Sequence, residues 1–339
     1  MQPLIRIAET GYVPDAVLRM GIRRLLRQRL RNEQDTARDD LRSLAPKRIA
    51  VAPERANEQH YELPPGFFRL MLGSRLKYSS CHWSSLGQSI DRAEEEMLAL
   101  TCERAGVEDG MRVLDLGCGW GSLGLWVAER YPDCRVTLVS NAESQQRSIR
   151  DRAARQGFGN VATVRADVNE FEPSERFDRI VSVEMFEHVR NHARLLSRIA
   201  RWLEPDGFLF VHLFCHREFS YPFEVETDSD WMARHFFTGG VMPSIDLLSR
   251  FDRDLTVEQF WTVGGKHYER TLLAWLDKLD GSRPEALQIL EAHYGRERAR
   301  LWFVRWRLFL LSCAELFGYR NGQEWMVAHY RMRRSVGGQ

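Results

Sequence analysis

Five short apolar runs separated by helical patterns constrain this chain more than any other feature. They are Arg112-Val-Leu-Asp-Leu, Val136-Thr-Leu-Val, Val161-Ala-Thr-Val, Arg179-Ile-Val-Ser-Val and Phe208-Leu-Phe-Val-His-Leu. Strands that alternate with helices form βαβ units, whose parallel sheet is covered on both faces. Two further strand candidates, Leu255–Val263 and Glu324–Met332, are separated by a long helical stretch, Thr271–Phe317. The expected fold class is therefore α/β, with a seven-stranded, mostly parallel sheet. Residues 1–105 form an N-terminal helical region over the site, and residues 106–339 form the main domain.

The leading segment has its own pattern. Leu18, Ile22, Leu25, Leu26 and Leu30 make one apolar stripe within a helix spanning 15–45. Six arginines and no acid lie between Val17 and Arg31. Such a helix either lies on an anionic membrane surface or docks on the protein's own core with arginines outward. Ala45–Asn57 reads as a loop, and Pro64-Pro65-Gly66 stops any helix before the short apolar one at Phe67-Phe68. Another helical pattern runs from Asp91 to Ala105.

Charge sets limits on partners. With 48 basic and 47 acidic side chains the net charge is +1, which argues against nucleic acid. Only Lys47, Lys77, Lys266 and Lys278 are lysines. The six cysteines, Cys81, Cys102, Cys118, Cys134, Cys215 and Cys313, have no metal-ligand spacing, so no metal site is expected and the thiols read as reduced. No apolar stretch has signal-peptide or membrane-spanning character, and the run Leu301–Ala314 is broken by Arg305 and Arg307. The expected location is cytoplasmic.

The first strand ends in Asp115-Leu-Gly117-Cys-Gly119-Trp-Gly121 and opens a helix from Leu123 to Tyr131. Glycines at alternate positions let the backbone turn sharply and approach a ligand closely. The helix N-terminus adds unpaired N–H groups. Gly-x-Gly-x-Gly two residues after an acid suits S-adenosylmethionine (SAM) better than a dinucleotide. After the second strand, Ser140 and Asn141 stand where an acid usually takes ribose hydroxyls. Asp167, after the third strand, lies where adenine-facing residues sit.

The fourth strand ends Ser182-Val-Glu184-Met-Phe-Glu187-His188. Two carboxylates and a histidine at the carboxyl end of this strand face the crevice where open α/β sheets bind ligands. Burial raises a carboxylate's pKa and makes it a base near neutrality. The competing reading is that Glu187 and His188 cap the next helix.

Together these motifs resemble the cyclopropane-fatty-acid synthase superfamily of SAM-dependent methyltransferases. The resemblance rests on Leu114-Asp-Leu-Gly-Cys-Gly-Trp-Gly, Phe186-Glu-His and Tyr78-Ser-Ser-Cys81. Within that superfamily the chain is similar to the coclaurine N-methyltransferase-like branch. The supporting motifs are Tyr61-Glu-Leu-Pro, Ser79-Ser-Cys-His-Trp, Glu184-Met-Phe-Glu-His, Phe236-Phe-Thr-Gly-Gly-Val-Met-Pro-Ser, Gly265-Lys-His-Tyr-Glu-Arg-Thr and Leu316-Phe-Gly-Tyr-Arg-Asn-Gly-Gln-Glu-Trp-Met. The resemblance implies a class I, Rossmann-like methyltransferase fold. It also implies Tyr78 and Ser79 at the SAM carboxylate, Gly117 and Gly119 at its methionine part, and Ser140 and Gln145 near the ribose.

Two chemistries follow from the resemblance. In the amine-methylating branch Glu184, Glu187 and His188 sit at the substrate nitrogen. In the cyclopropanating branch a bicarbonate base is held at positions matching Glu187, His212 and Tyr268, with Ser80 at the cysteine position and Cys81 displaced by one. An amine enzyme needs His212 and Tyr268 only as pocket walls. The segment 215–251 carries Phe219, Tyr221, Phe223, Trp231, Phe236 and Phe237 and reads as a lid over an apolar or aromatic substrate. The expected activity is methyl transfer to a small amine; the alternative is C-methylation or cyclopropanation of unsaturated lipid. A homodimer is compatible with either.

Overall fold

The computed structural model describes residues 2–35, 48–50, 63–225 and 230–335. The chain begins with helices α1 (Gln2–Glu9), α2 (Asp15–Asp35), α3 (Pro65–Met71) and α4 (Ile90–Ala105). Then come β1 (Arg112–Leu116), α5 (Ser122–Arg130), β2 (Arg135–Ser140), α6 (Glu143–Gln156), β3 (Val161–Arg165) and β4 (Phe177–Val183). A 3₁₀ turn at Phe186–His188 leads to α7 (His192–Trp202) and the long β5 (Leu203–His216). Short strands β6 (Tyr221–Pro222) and β7 (Val241–Met242) pair with each other and flank α8 (Trp231–His235). The chain finishes with β8 (Leu255–Val263), α9 (Gly265–Gly281), α10 (Arg283–Tyr294), α11 (Arg296–Gly318) and β9 (Trp325–Arg334).

The seven strands of the main sheet run in the order β3-β2-β1-β4-β5-β9-β8. The five on the β3 side are parallel, whereas β9 is antiparallel to both β5 and β8. The order reverses between β1 and β2 on one side and β4 on the other, so their carboxyl ends border a crevice suited to a ligand. The predicted helical stretch 271–317 is three helices starting at Gly265, because Pro284 and Gly295 interrupt it. Pro65 opens α3 rather than blocking it, since its missing N–H costs nothing at the first helical position.

One apolar core joins the two ends of the chain. Leu30, Phe67, Phe68 and Met97 pack with Trp275, Trp306, Phe309 and Trp325, with Leu18, Ile22 and Leu26 against them. Helix α2 is therefore docked on the protein, as its apolar stripe allows, although Leu25 stays exposed. Arg19 and Arg23 of that helix ion-pair with Glu315, which is buried in α11. The part of the expected helix beyond residue 35, and the expected loop 45–57 apart from residues 48–50, lie outside the described residues. Among the described residues no helix is long and apolar enough to cross a membrane. All six cysteines carry free thiols.

The close approach of α9 to β9 makes a sharp test of this packing. A Cβ at Gly265 would lie 2.2 Å from the carbonyl oxygen of Trp325 and 2.3 Å from that of Phe317. Gly265→Ala must push backbone apart, and overpacking of this kind costs roughly 1–3 kcal/mol. Thermal denaturation is expected to show a Tm several degrees below wild type.

Candidate active site

The glycine turn after β1 bends through left-handed backbone, with φ of 81° at Gly117 and 52° at Gly119. A Cβ on Gly117 would strike the Met185 side chain at 2.5 Å, so that glycine lets β1 lie against the end of β4. A Cβ on Gly119 meets nothing within 4 Å and would project into open space. Gly121 caps α5 and turns its bare side to Ile149 and Leu138, away from the cavity. Sequence spacing alone placed all three with the ligand. Packing separates the third.

A cavity at the carboxyl ends of β1, β2 and β4 is lined by Tyr78, Ser79, Asp115, Gly117, Gly119, Ser140, Asn141, Gln145 and Asp167. These are the sequence-predicted binding residues other than Gly121. Asp115 turns its carboxylate to the backbone N–H of Gly124 at 3.1 Å, and burial lifts its pKa to about 7. It braces the turn against the first turn of α5. Asp167 accepts from the Asn169 backbone and side chain at 2.8 and 2.9 Å. Asn169 in turn accepts from the backbone N–H groups of Ile49 and Ala50, which places Ala50 against the cavity. The Gln145 side-chain nitrogen is buried with no partner among the described residues. An open flank at Gly119 and an unanswered donor at Gln145 fit a cofactor carrying both an amino-acid part and hydroxyls, as SAM does.

Glu184 stands at the exit of β4 with φ of 48°, in the left-handed region that residues other than glycine uncommonly occupy. Its backbone N–H donates to the His212 carbonyl at 2.8 Å, which holds the turn. The carboxylate then meets three donors. Its Oε1 accepts from the Ser80 backbone N–H at 2.9 Å and faces His212 Nε2 at 3.2 Å. Its Oε2 accepts from the Tyr268 hydroxyl at 2.5 Å. Burial pushes the pKa of Glu184 up, with Lys77 pulling against that shift, followed by the Ser80 and Tyr268 hydrogen bonds.

The sequence reading puts Ser80, His212 and Tyr268 at a bicarbonate ion, or His212 and Tyr268 in the pocket wall; in this geometry none of the three lines the cavity. Their donors converge on the chain's own Glu184 carboxylate. Ser80 contributes its backbone, and its hydroxyl faces the Cys81 carbonyl at 3.5 Å. Cys81 packs with Trp83 and Ala93 and does not line the cavity, and burial raises its thiol pKa.

Glu187 and His188 divide. His188 lines the cavity with Glu184, its ring 4.8 Å from that of Phe237. Burial lowers its pKa to about 4, so it is a neutral acceptor near neutrality. Glu187 lies behind the cavity wall and is fully buried, one oxygen accepting from the Phe214 N–H at 2.7 Å. Burial, reinforced by the nearby Glu184 charge, raises its pKa well above the usual carboxylate range.

Two residues escaped the sequence reading. Lys77 is buried, and its ammonium donates to the Ser79 hydroxyl at 2.5 Å and the Ser80 carbonyl at 2.6 Å. Glu94 is fully buried and accepts from the backbone N–H groups of Gly73, Arg75 and Lys77. Burial raises its pKa to about 7. Together they hold the loop that presents Tyr78, Ser79 and Ser80. The rarity of lysine in this chain was the available signal. The segment between β5 and β8 also sorts itself: Phe236 stacks on Phe309, and Trp231 faces Phe236, so both anchor the segment to the helices. Phe237 and Thr238–Gly240 are what it brings to His188 and the cavity.

The strand, glycine turn and helix, with a buried carboxylate beside the cavity, define a SAM-dependent methyltransferase of Rossmann-like fold. Residues 50–326 match the mycolic acid cyclopropane synthetase family, and the chain belongs to it. It is 38% identical over 338 residues to (S)-coclaurine N-methyltransferase of Thalictrum flavum subsp. glaucum, covering 96% of this chain and 94% of that one. A crystal structure of coclaurine N-methyltransferase bound to N-methylheliamine and SAH superposes with a TM-score of 0.93 at 38% identity, covering 98% of this chain and 99% of that chain. The cyclopropane-fatty-acyl-phospholipid synthase of Escherichia coli K12 is 29% identical over 317 residues, 93% of this chain and 77% of that protein.

The open flank of Gly119 gives a direct test. Gly119→Val fills that space with a branched side chain, and Gly119→Ala fills it with one methyl. Isothermal titration is expected to show SAM binding abolished in the first and weakened in the second, with both circular dichroism spectra near wild type.

Proposed function

We propose that this chain transfers the methyl group of SAM to the nitrogen of a small-molecule amine. The observation that carries the reading is the Glu184 carboxylate, which draws the Ser80, His212 and Tyr268 donors to itself. A bicarbonate-dependent lipid enzyme needs those donors for an external anion. Similarity across the whole chain to coclaurine N-methyltransferases supports the same substrate class.

SAM, when bound, supplies a methyl group already activated by its sulfonium. Tyr78, Ser79, Gly117 and Gly119 would hold its amino-acid end, and Ser140, Asn141 and Gln145 its ribose, with Asp167 towards adenine. The chain's remaining task is to present a neutral nitrogen in line and keep water out. Alkylamines arrive largely protonated near neutrality. Glu184 borders the cavity with its pKa raised by burial, so its carboxylate is an acceptor for that proton. His188, neutral and within the same wall, orients the ammonium before the proton leaves. Glu187 stands behind them, its pKa raised by burial and by the Glu184 charge. Phe237 covers the histidine from the lid side.

The experiment is to incubate the purified protein with SAM labelled in its methyl group, a panel of secondary and tertiary amines, and unsaturated phospholipid with and without added bicarbonate. Label is expected on an amine and not on lipid; label on lipid with stimulation by bicarbonate overturns the reading. On the best amine, Glu184→Gln is expected to lower kcat by roughly 10²–10⁴-fold, the usual contribution of a general base, with SAM affinity little changed. Tyr268→Phe removes one hydrogen bond to a charged group, a loss worth roughly tenfold or somewhat more. Steady-state kinetics of the two variants check both figures.

A further inference from the structure

Behind Glu184 a row of polar side chains crosses the apolar sheet. His212 of β5 lies directly opposite His329 of β9, which lies opposite Trp261 of β8. Both histidines are fully buried. His329 Nε2 is 2.9 Å from His212 Nδ1, and His212 Nε2 is 3.2 Å from Glu184 Oε1. At the other end, Arg104 Nη1 is 2.7 Å from His329 Nδ1. Arg104 is half-buried in the last turn of α4, its guanidinium 5.0 Å over the Trp261 ring. Among the described residues it has no carboxylate within ion-pair distance. Its charge is directed at an imidazole nitrogen instead.

The chemistry of the four groups gives the row a single direction. A guanidinium has N–H donors and no acceptor. His329 Nδ1 must therefore be the bare nitrogen, which leaves the proton of its neutral ring on Nε2. That N–H requires His212 Nδ1 to be bare in turn, so His212 carries its proton on Nε2 and donates to Glu184. Neither ring can reverse without setting two N–H groups against each other, and both rings are fully buried, where an unmade hydrogen bond is costly. Burial lowers the pKa of both histidines, and the positive charge of Arg104 acts in the same direction, so the rings stay neutral.

We propose that Arg104 and His329 are positioning residues which, through His212, set the polarity of a hydrogen-bond chain ending on Glu184 and so hold that carboxylate as an oriented acceptor at the cavity. The function of the row rests on the reading of Glu184 as the group that meets the amine. Its polarity does not. The loss of a hydrogen bond made by a charged group costs roughly tenfold or somewhat more.

The test uses the full-length protein labelled with ¹⁵N-histidine, with His212 and His329 assigned through His212→Asn and His329→Gln. Long-range ¹⁵N–¹H correlation spectra at neutral pH are expected to show both rings as neutral Nε2–H tautomers. Arg104→Met removes the donor at a half-buried position and is expected to release His329 into a mixture of tautomers. Its kcat for the amine should fall about tenfold while KM for SAM stays at the wild-type value. Arg104→Lys keeps a cationic donor and is expected to recover the wild-type tautomers and most of kcat. A wild-type Nδ1–H tautomer or imidazolium at either ring overturns the proposal. So does an Arg104→Met protein with unchanged tautomers and unchanged kcat. A wild type that methylates no amine overturns the amine reading, and the tautomers still decide the polarity of the row.

Discussion

The burial of one carboxylate organises this molecule. An ionised glutamate in an apolar interior is costly unless its oxygens are answered. Glu184 is answered from three separate regions: the loop before α4 through Ser80, the centre of the sheet through His212, and α9 through Tyr268. Each region must be in place before the carboxylate is satisfied. The site is therefore a consequence of the assembled fold and not of any single element. The strained backbone at Glu184 has the same origin, because an ordinary strand exit would aim the side chain elsewhere.

The relation to the cyclopropane synthetase family becomes physical at this point. A cradle of a backbone N–H, an imidazole and a phenol recognises a small planar anion. In this chain a side-chain carboxylate reaches into that cradle from β4. A carboxylate carried on the backbone has a fixed position and no dissociation equilibrium, and its proton affinity is raised by burial against the pull of Lys77.

Much of this was legible in the residues. Apolar runs gave the strands, the glycine spacing placed the cofactor turn, and Glu184, Glu187 and His188 were singled out by their position after β4, of which Glu184 and His188 line the cavity. What remained hidden depends on pairings far apart in the chain. His212 and His329 face each other only because β9 inserts antiparallel beside β5, 117 residues later. Arg104 reads as an ordinary helix-terminal charge until that register is known. Gly121 and Cys81 turn away from the cavity for the opposite reason, since neighbours in sequence can face different cores. The left-handed turn at Glu184 has no signature in a sequence that offers no glycine there.

The core shared by the two ends of the chain carries a consequence for how the protein is made. Arg19 and Glu315 are 296 residues apart, and the apolar stripe of α2 packs on helices built from the last quarter of the chain. During synthesis α2 emerges first and then waits, its leucines uncovered, until α11 has left the ribosome. The sheet strands β1 to β5 can pair in that interval, but the layer that completes the active site cannot close. Contacts of such long range slow folding and prolong the exposure of sticky surface.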